Sequence, residues 1–213
     1  MTQEAKILIG IGIVSVALVV GGAFIMGGSS SSQKLTSSQE KILVRDDSNK
    51  IVTASAKATL VEFGDYQCPA CGQAHPLVKR LLSEEAGKLN FVFRNFAFLG
   101  QESIWAAEGA ECAGEQGKFW DYHDYLYEHQ GGENLGAFSK EKLEGFAKNL
   151  NLNTEQFKMC LETDKYQQKV LNDTADGKSL GVNSTPTFFV NGVKNVGVLS
   201  YEKFKSILDA QLK

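Results

Sequence analysis

The cysteine pair Cys68 and Cys71 most constrains the fold, because the four residues CPAC stand between an apolar run and a stretch with helical spacing. The run at 58–64 is short and apolar, which predicts a buried strand. Pro69 suits the first turn of a helix, and leucines recur at helical spacing after it. A second run at 90–98 alternates in part and predicts another strand. Together these elements form a β-α-β unit, which implies a parallel strand pair with a right-handed crossover.

The junction of strand and helix gives the first cysteine a special environment. Cys68 is predicted to occupy the N-cap of the helix, where unpaired backbone N–H groups and the helix dipole stabilise negative charge. A thiolate is the form that attacks disulfides, and this placement in a C-x-x-C motif lowers the cysteine pKa. We therefore expect Cys68 to be an exposed nucleophile. Cys71, one turn into the helix, is expected to be a more buried resolving thiol.

Two other interpretations of the C-x-x-C motif are open at this point. A structural disulfide between Cys68 and Cys71 would close only a tiny loop and would stabilise little. Half of a zinc site would need further ligands, either His75 or the second cysteine pair, and the sequence has no second C-x-x-C motif. The strand-to-helix context favours redox chemistry over both interpretations. His75, four residues after Cys71 on the same helix, either tunes the thiolate or is a solvated helix residue, and the second is expected.

An uncharged N-terminal segment predicts contact with a membrane. Residues 7–28 carry no charge over 22 positions, and as a helix they would span about 33 Å, enough for a bilayer core. A retained anchor is favoured over a cleaved signal peptide, whose apolar core is roughly 7–15 residues. Positive-inside charge is limited to one lysine and the amino terminus, so it orients the segment weakly. We predict an anchor or uncleaved signal at 1–28 and a linker arm at 29–57, with one edge strand suggested by the apolar run 42–44.

The remaining chain, 58–213, changes character along its length. Residues 101–178 carry helical spacing throughout and predict an all-α block of three to five helices. The strand TFFV, the hairpin signal NG, a partner strand and a closing amphipathic helix follow. The helical block is thus bracketed by β-α-β and β-β-α halves. The simplest architecture is one α/β domain with a mixed sheet and a helical insertion.

Several single positions stay ambiguous from pattern alone. Pro186 precedes the strand TFFV, where a proline is allowed, and a cis bond after Thr185 is an alternative that the pattern does not support. Glu62 either is buried within its strand, at a cost that implies a purpose, or faces solvent at a sheet edge. Cys112 and Cys160 either pair and join two helices or are free buried thiols.

Composition excludes several classes of protein. Apolar residues make up 43% and charged residues 22%, as in ordinary globular proteins, which excludes a disordered, collagen-like or small disulfide-scaffold chain. The formal net charge is −3, so nothing indicates binding to nucleic acid.

Three separated motifs resemble the DsbA-like branch of the thioredoxin superfamily. They are VEFGDYQCPACGQAHP, FWDYHDYLYEHQ and GVNSTPTFFVNG, and they occur in the expected order. The resemblance covers residues 59–213, including the helical insertion. It implies an α/β thioredoxin fold with an all-helical insertion, here preceded by a single transmembrane helix.

The resemblance also implies roles for individual residues. Cys68 would be the nucleophile and Cys71 the resolving thiol. Glu62 matches a buried acidic residue that relays protons to the resolving cysteine. The substrate groove would be lined by four residues around the motif and the cis-proline, namely Pro69, Ala70, Thr185 and Pro186. Cys112 and Cys160 would form a structural disulfide.

These roles imply an extracytoplasmic thiol–disulfide oxidoreductase that is tethered by its N-terminus and works as a monomer. Its substrates would be reduced, unfolded secreted proteins, and a quinone-linked membrane protein of DsbB or VKOR type would reoxidise it. No bound cofactor and no metal site are predicted. A tethered reductase or thioredoxin-like electron carrier would share the same cysteines, and a non-catalytic zinc or binding module is the remaining alternative.

Overall fold

The structure is a computed structural model that describes residues 35–212 of the chain. The predicted membrane segment at 1–28 and the first residues of the predicted arm lie outside the described residues. Within 35–212, no helix combines the length and the apolar character needed to cross a bilayer.

The described part contains one five-stranded sheet and eight helices. The strands are β1 (Asn49–Ile51), β2 (Ala58–Gly64), β3 (Leu89–Asn95), β4 (Thr187–Val190) and β5 (Val193–Val196). The helices are α1 (Ser37–Leu43), α2 (Pro69–Glu84), α3 (Gln101–Gly114), α4 (Phe119–Glu128), α5 (Lys140–Asn149), α6 (Thr154–Glu162), α7 (Gln167–Ser179) and α8 (Tyr201–Leu212).

The sheet is mixed, with strand order β1-β3-β2-β4-β5. Strands β2 and β3 are parallel, whereas the other three pairs are antiparallel. The β2-α2-β3 unit and the β4-β5 hairpin confirm the predicted order of elements. The hairpin turns through Asn191 and Gly192, whose φ angles of 46° and 81° are the left-handed values that a two-residue type I′ turn requires.

The central strand β2 is buried on both faces and divides the core into two clusters. Successive side chains of a strand point to opposite faces. Leu60 packs with the larger cluster, which includes residues of α2 and α8, whereas Val61 and Phe63 pack with the smaller one. Glu62 shares the face of Leu60. The alternation therefore directs its carboxylate toward the side of the sheet that α2 covers.

The predicted helical insertion is confirmed as five consecutive helices, α3 to α7, between β3 and β4. Cys112 of α3 and Cys160 of α6 form a disulfide bond across this block, with a Cα–Cα distance of 5.9 Å. The bond closes a long stretch of chain, since the two residues are 48 positions apart.

The apolar run 42–44, where the sequence suggested an edge strand, belongs instead to the end of helix α1. This expectation was wrong because Thr36 begins a helix there: its side chain accepts from the N–H of Gln39, and the Gln39 side chain accepts from the Thr36 N–H. The edge strand of the arm is β1, which pairs antiparallel with β3 through Asn49–Ile51. Helix α1 and strand β1 of the predicted arm therefore pack on the α/β core.

Arg94 of β3 ties three parts of the fold together. Its side chain is fully buried, and its guanidinium lies 2.8 Å from Asp173 and 2.6 Å from Asp176 of α7. It also donates to the backbone carbonyl of Leu43 at the end of α1, at 3.0 Å. A buried charge is tolerated when it is paired and fully hydrogen-bonded in this way.

We expect Arg94→Met to lower the free energy of unfolding by about 3–5 kcal/mol, because the carboxylate of Asp173 would be left buried without its cation. Urea unfolding of the full chain measures the change. Lys118→Met is the matched control: Lys118 pairs with Asp121 at the surface, so the loss should be about 1 kcal/mol or less. Equal losses in the two variants would contradict the role given to Arg94.

Candidate active site

Cys68 is the N-cap residue of α2, directly after the loop that follows β2. Its backbone is extended, with φ −71° and ψ 116°, and Pro69 is the first helical residue. The N–H of Gly72 donates to the Cys68 carbonyl at 3.1 Å, which closes the first helical turn. The strand therefore delivers the cysteine to the positive end of the helix dipole, as the motif predicts.

The exposure expected for Cys68 is wrong, because the residue is only 8% exposed. The loop before β4 covers it: its thiol donates to the backbone carbonyl of Thr185, with 3.4 Å between Sγ and the oxygen. Cys71 is more deeply buried, at 0% exposure. The predicted difference between the two thiols is therefore present, although neither of them stands free at the surface.

The pKa of Cys68 is lowered to about 6. The main cause is a hydrogen bond from the side chain of Cys71, and the backbone N–H groups of Ala70 and Cys71 add to it. Partial burial acts in the opposite direction and is outweighed. Cys68 is consequently a thiolate over most of the physiological pH range.

The pKa values of Cys71 and Glu62 are raised, in contrast to that of Cys68. Burial raises the pKa of the Cys71 thiol well above its usual value, and the hydrogen bond to Cys68 adds to the effect. Burial, followed by the charge of Cys68, raises the pKa of Glu62 to about 8. Glu62 pairs with Phe93 on one side and Phe188 on the other, so the alternative of a solvent-facing sheet edge is excluded.

The carboxyl group of Glu62 has unused hydrogen-bonding capacity. Its Oε1 atom is buried without a hydrogen-bond partner in the described structure. An unpaired buried polar atom is costly and needs a reason. A carboxyl group that is protonated at neutral pH, beside two thiols of opposite pKa shift, has the properties of a proton donor and acceptor.

The peptide bond between Thr185 and Pro186 is cis. It stands immediately before β4, which begins at Thr187 and pairs with the central strand β2. This position sets the Thr185 carbonyl against the Cys68 sulfur. Pro69 is exposed beside them and Ala70 is half-buried, so the four predicted groove residues do meet around Cys68.

Gln130 was missed by the sequence analysis, although it holds the active-site loop. Its side-chain amide donates to the carbonyl of Tyr66 at 2.7 Å and to that of Cys68 at 2.9 Å. Gly72 makes room for it, because a Cβ at that position would collide with the Gln130 side chain. Only the folded structure brings these residues together, since Gln130 follows the motif by about sixty positions.

Asp65 is the second residue whose role is seen only in the structure. It is buried, and it accepts hydrogen bonds from the N–H groups of Gln67, Phe98 and Leu99 at 2.8, 3.0 and 3.2 Å and from the Ser103 hydroxyl at 2.7 Å. The bonds from Phe98, Leu99 and Ser103 join the loop before Cys68 to the start of the helical insertion. Its place just before the motif was the only signal in the sequence.

His75 was expected to be a solvated helix residue, and this expectation is wrong. Its ring is only 7% exposed because it packs between Tyr127 and His123, with Asp124 beside it. Neither His75 nor the second cysteine pair is therefore available as a zinc ligand for the C-x-x-C motif. His75 contacts α4, and the second cysteine pair is bonded to itself.

We expect the thiolate absorbance of reduced chain to titrate with a midpoint near pH 6, with the thiolate absent below it and present above it. Alkylation by iodoacetamide should follow the same curve. In Cys71→Ala the midpoint should rise, since the strongest hydrogen bond to the sulfur is lost. A midpoint near the ordinary cysteine value of about 8.5 in the unaltered chain would contradict this assignment.

A comparison with known protein families identifies the family of this chain. A family model described as thioredoxin matches residues 51–210, well over half of the chain. The chain belongs to the thioredoxin family.

Individual relatives of this thioredoxin-family chain agree with that placement. The "Probable disulfide bond formation protein D" of Bacillus anthracis is 32% identical over 165 residues, covering 74% of this chain and 75% of the relative. The crystal structure of oxidised BdbD from Bacillus subtilis superposes with a TM-score of 0.71 at 26% identity, covering 78% of this chain and 92% of the other. The predicted resemblance to DsbA-like thioredoxin proteins is confirmed.

A different kind of relative contains this domain as a small part. The Na(+)/H(+) antiporter NhaA 1 of Salinispora arenicola is 36% identical over 149 residues, which are 69% of this chain but 22% of the antiporter. The chain therefore spans about a fifth of that relative's length, and the likeness concerns the thioredoxin-family portion.

Proposed function

We propose that the chain is a DsbA-like thiol–disulfide oxidoreductase that oxidises cysteine pairs in exported proteins through Cys68 and Cys71. The observation that carries the proposal is the asymmetry of the two thiols at the start of α2. The pKa of Cys68 is lowered to about 6, whereas burial raises that of Cys71. A stabilised thiolate favours the reduced enzyme and makes Cys68 a good leaving group, which favours donation of the disulfide.

The oxidising reaction has two steps. A substrate thiolate attacks Sγ of Cys68 in the Cys68–Cys71 disulfide, the enzyme disulfide breaks, and a mixed disulfide forms. A second substrate thiolate then attacks the substrate sulfur, which forms the substrate disulfide and releases Cys68 as a thiolate. Two electrons pass from the substrate to the enzyme, and no cofactor takes part in either step.

Glu62 is proposed as the proton relay for Cys71. Cys71 leaves as a thiolate in the first step, and its raised pKa makes it take up a proton at neutral pH. The protonated carboxyl group of Glu62 is the donor in that step and accepts a proton when the enzyme is reoxidised. Its buried oxygen without a partner and its pKa of about 8 support this role.

The groove around Cys68 is proposed to hold the substrate as an extended segment. The Thr185 carbonyl accepts from the Cys68 thiol, so the backbone just before Pro186 lies beside the sulfur. The exposed Pro69 and the half-buried Ala70 form the opposite side. Backbone pairing recognises unfolded chains of many sequences, because main-chain groups are common to all of them.

The proposed place of action is the extracytoplasmic side of a membrane. Disulfides persist in oxidising compartments, and the Cys112–Cys160 bond supports such a location. We propose an N-terminal anchor at 1–28, an arm at 29–57 and a monomeric catalytic domain at 58–213. A quinone-linked membrane protein of DsbB or VKOR type would return the enzyme to the disulfide form.

The reduction potential of Cys68–Cys71 tests the direction of the reaction. The full chain is equilibrated with glutathione buffers, and alkylation with peptide mass analysis follows Cys68 and Cys71 apart from the second cysteine pair. A potential near about −120 mV is expected for an oxidase. A value near about −270 mV, typical of thioredoxin, would overturn the oxidising direction and indicate a tethered reductase.

A further inference from the structure

A second cluster of reactive side chains lies between α2 and α4, separate from the two thiols. His75 comes from α2, and His123 and Asp124 come from α4. Their potential ligand atoms all lie within 4.8 Å of one another. We propose that these three residues bind a divalent transition-metal ion of the zinc type.

The geometry suits a tetrahedral ion. Zinc binds imidazole nitrogen and carboxylate oxygen at about 2.0–2.2 Å, so two ligand atoms of a tetrahedral site stand about 3.3 Å apart. The Nε2 atom of His75 lies 3.2 Å from Oδ1 of Asp124. The candidate ligand atom of His123 lies within 4.8 Å of both.

An unpartnered nitrogen is the independent observation that points to a ligand. Nε2 of His75 is buried and makes no hydrogen bond of acceptable geometry in the described structure, despite the nearby oxygen of Asp124. A buried ring nitrogen without a partner is unfavourable. An ion placed between the nitrogen and the oxygen would satisfy both.

The second histidine, His123, is hydrogen-bonded through one of its two ring nitrogens. Nδ1 of His123 is hydrogen-bonded to the hydroxyl of Tyr66 at 3.0 Å, inside the core. In the tautomer in which this Nδ1–H donates to the hydroxyl, Nε2 keeps its lone pair for a metal. A metal-bound histidine usually donates its other N–H in this manner, which fixes the ring and its tautomer.

The surroundings leave the fourth coordination position open. A pocket of about 180 Å³ lies beside the cluster, and the two histidines and Asp124 line it together with apolar residues such as Phe91 and Trp120. Three protein ligands with one open position are typical of zinc sites that hold a water molecule or a small ligand. Magnesium and calcium prefer oxygen ligands throughout and do not suit two imidazoles.

One charge competes with the proposed ion. Lys79 lies 2.6 Å from the other oxygen of Asp124, and its side chain is about half exposed. The lysine can therefore turn into solvent when an ion binds. Removing the charge of Lys79 should make Asp124 a better ligand. A substitution of Lys79 should therefore strengthen metal binding.

The test titrates the oxidised full chain with Zn²⁺ by calorimetry, and with Co²⁺ by visible absorption, whose intensity reports tetrahedral coordination. Oxidation keeps Cys68 and Cys71 from binding the metal themselves. We expect one ion per chain, loss of affinity by about tenfold or more in His75→Gln and in His123→Gln, and tighter binding in Lys79→Met. Mg²⁺ should not bind at the cluster.

His129→Gln is the matched control. His129 is the third and last histidine of the chain, is exposed at the end of α4, and takes no part in the cluster. It should bind Zn²⁺ like the unaltered chain. The proposal is overturned if no stoichiometric binding occurs, if His129→Gln weakens binding as much as His123→Gln, or if Lys79→Met binds less tightly. If the other two variants fail to fold, binding in Lys79→Met and in His129→Gln, each compared with the unaltered chain, still decides the question.

Discussion

Replacing Cys71 with alanine is expected to abolish turnover and to leave Cys68 able only to attack an added disulfide such as oxidised glutathione, which forms a stable mixed disulfide on Cys68 and releases one glutathione thiolate. Without the resolving thiol, the enzyme cannot form its own disulfide and has no oxidising equivalent to donate. Turnover in the oxidation of a reduced, unfolded protein should fall by at least about a thousandfold. Mass spectrometry of the full chain after exposure to oxidised glutathione should detect the adduct on Cys68.

Cys68→Ala provides the matching control. It should be equally inactive but should form no adduct, because Cys71 is fully buried and the pKa of its thiol is raised. An adduct on Cys71 in that variant, or substantial turnover in Cys71→Ala, would show that the roles of the two thiols are wrongly assigned.

Glu62→Gln is expected to slow the reduction of the enzyme disulfide by about a hundredfold, since the amide cannot donate a proton to the departing Cys71 thiolate. Stopped-flow mixing of oxidised enzyme with a dithiol measures this step, with rates expressed per substrate thiolate. Burial, the main cause of the raised Glu62 pKa, is independent of the charge on Cys68, so the unaltered enzyme should lose rate as the pH rises through this raised pKa, because the acid form exists only below it. The variant should lack that decline.

Glu108→Gln is the control for a buried carboxyl group without a catalytic role. Both carboxylate oxygens of Glu108 are buried without partners, and burial raises its pKa to about 7, but it belongs to α3 of the insertion. Its replacement should leave the rate of disulfide reduction unchanged. If Glu62→Gln keeps both the rate and the pH profile of the unaltered enzyme, the relay assignment fails.

Titration of Glu62 also has a consequence for stability that Glu62→Gln tests. A carboxyl group whose pKa is raised in the folded state stabilises the fold below its ordinary pKa, and this contribution is lost as the pH rises through the raised value. The free energy of unfolding should therefore fall between about pH 4.5 and pH 8 because of this group. Glu62→Gln should flatten that part of the pH dependence.

Local patterns were sufficient to predict the order of elements. The strand before Cys68, the helix after it and the NG turn of the β4-β5 hairpin all depend on residues that are close in sequence. Periodicity also located the helical insertion, because α4 to α7 bury one face each. The start of α1 shows the limit of such reasoning: a capping pair at Thr36 and Gln39 outweighed an apolar run that resembled a strand.

Long-range contacts could not be predicted in this way. Gln130 and Asp65 hold the active-site loop through backbone carbonyls and N–H groups, which leave no trace in composition or spacing. Long-range contacts also explain why the predicted exposure of two residues was wrong. Cys68 and His75 appeared accessible on their own helix, but the loop before Pro186 covers the first and α4 covers the second.

The hydrogen bonds of Gln130 to the active-site loop restrict how the two parts of the domain can move. Gln130 follows α4 of the helical insertion, yet it binds the carbonyls of Tyr66 and Cys68, which belong to the α/β core. The N–H of Asn134 adds a bond to Gln67 at 2.6 Å. A movement of the helical insertion would therefore also move the loop that carries Cys68. Under the proposed function, the cleft would therefore widen for a polypeptide substrate on its opposite side, where the loop through Ser184 and Thr185 leads into β4.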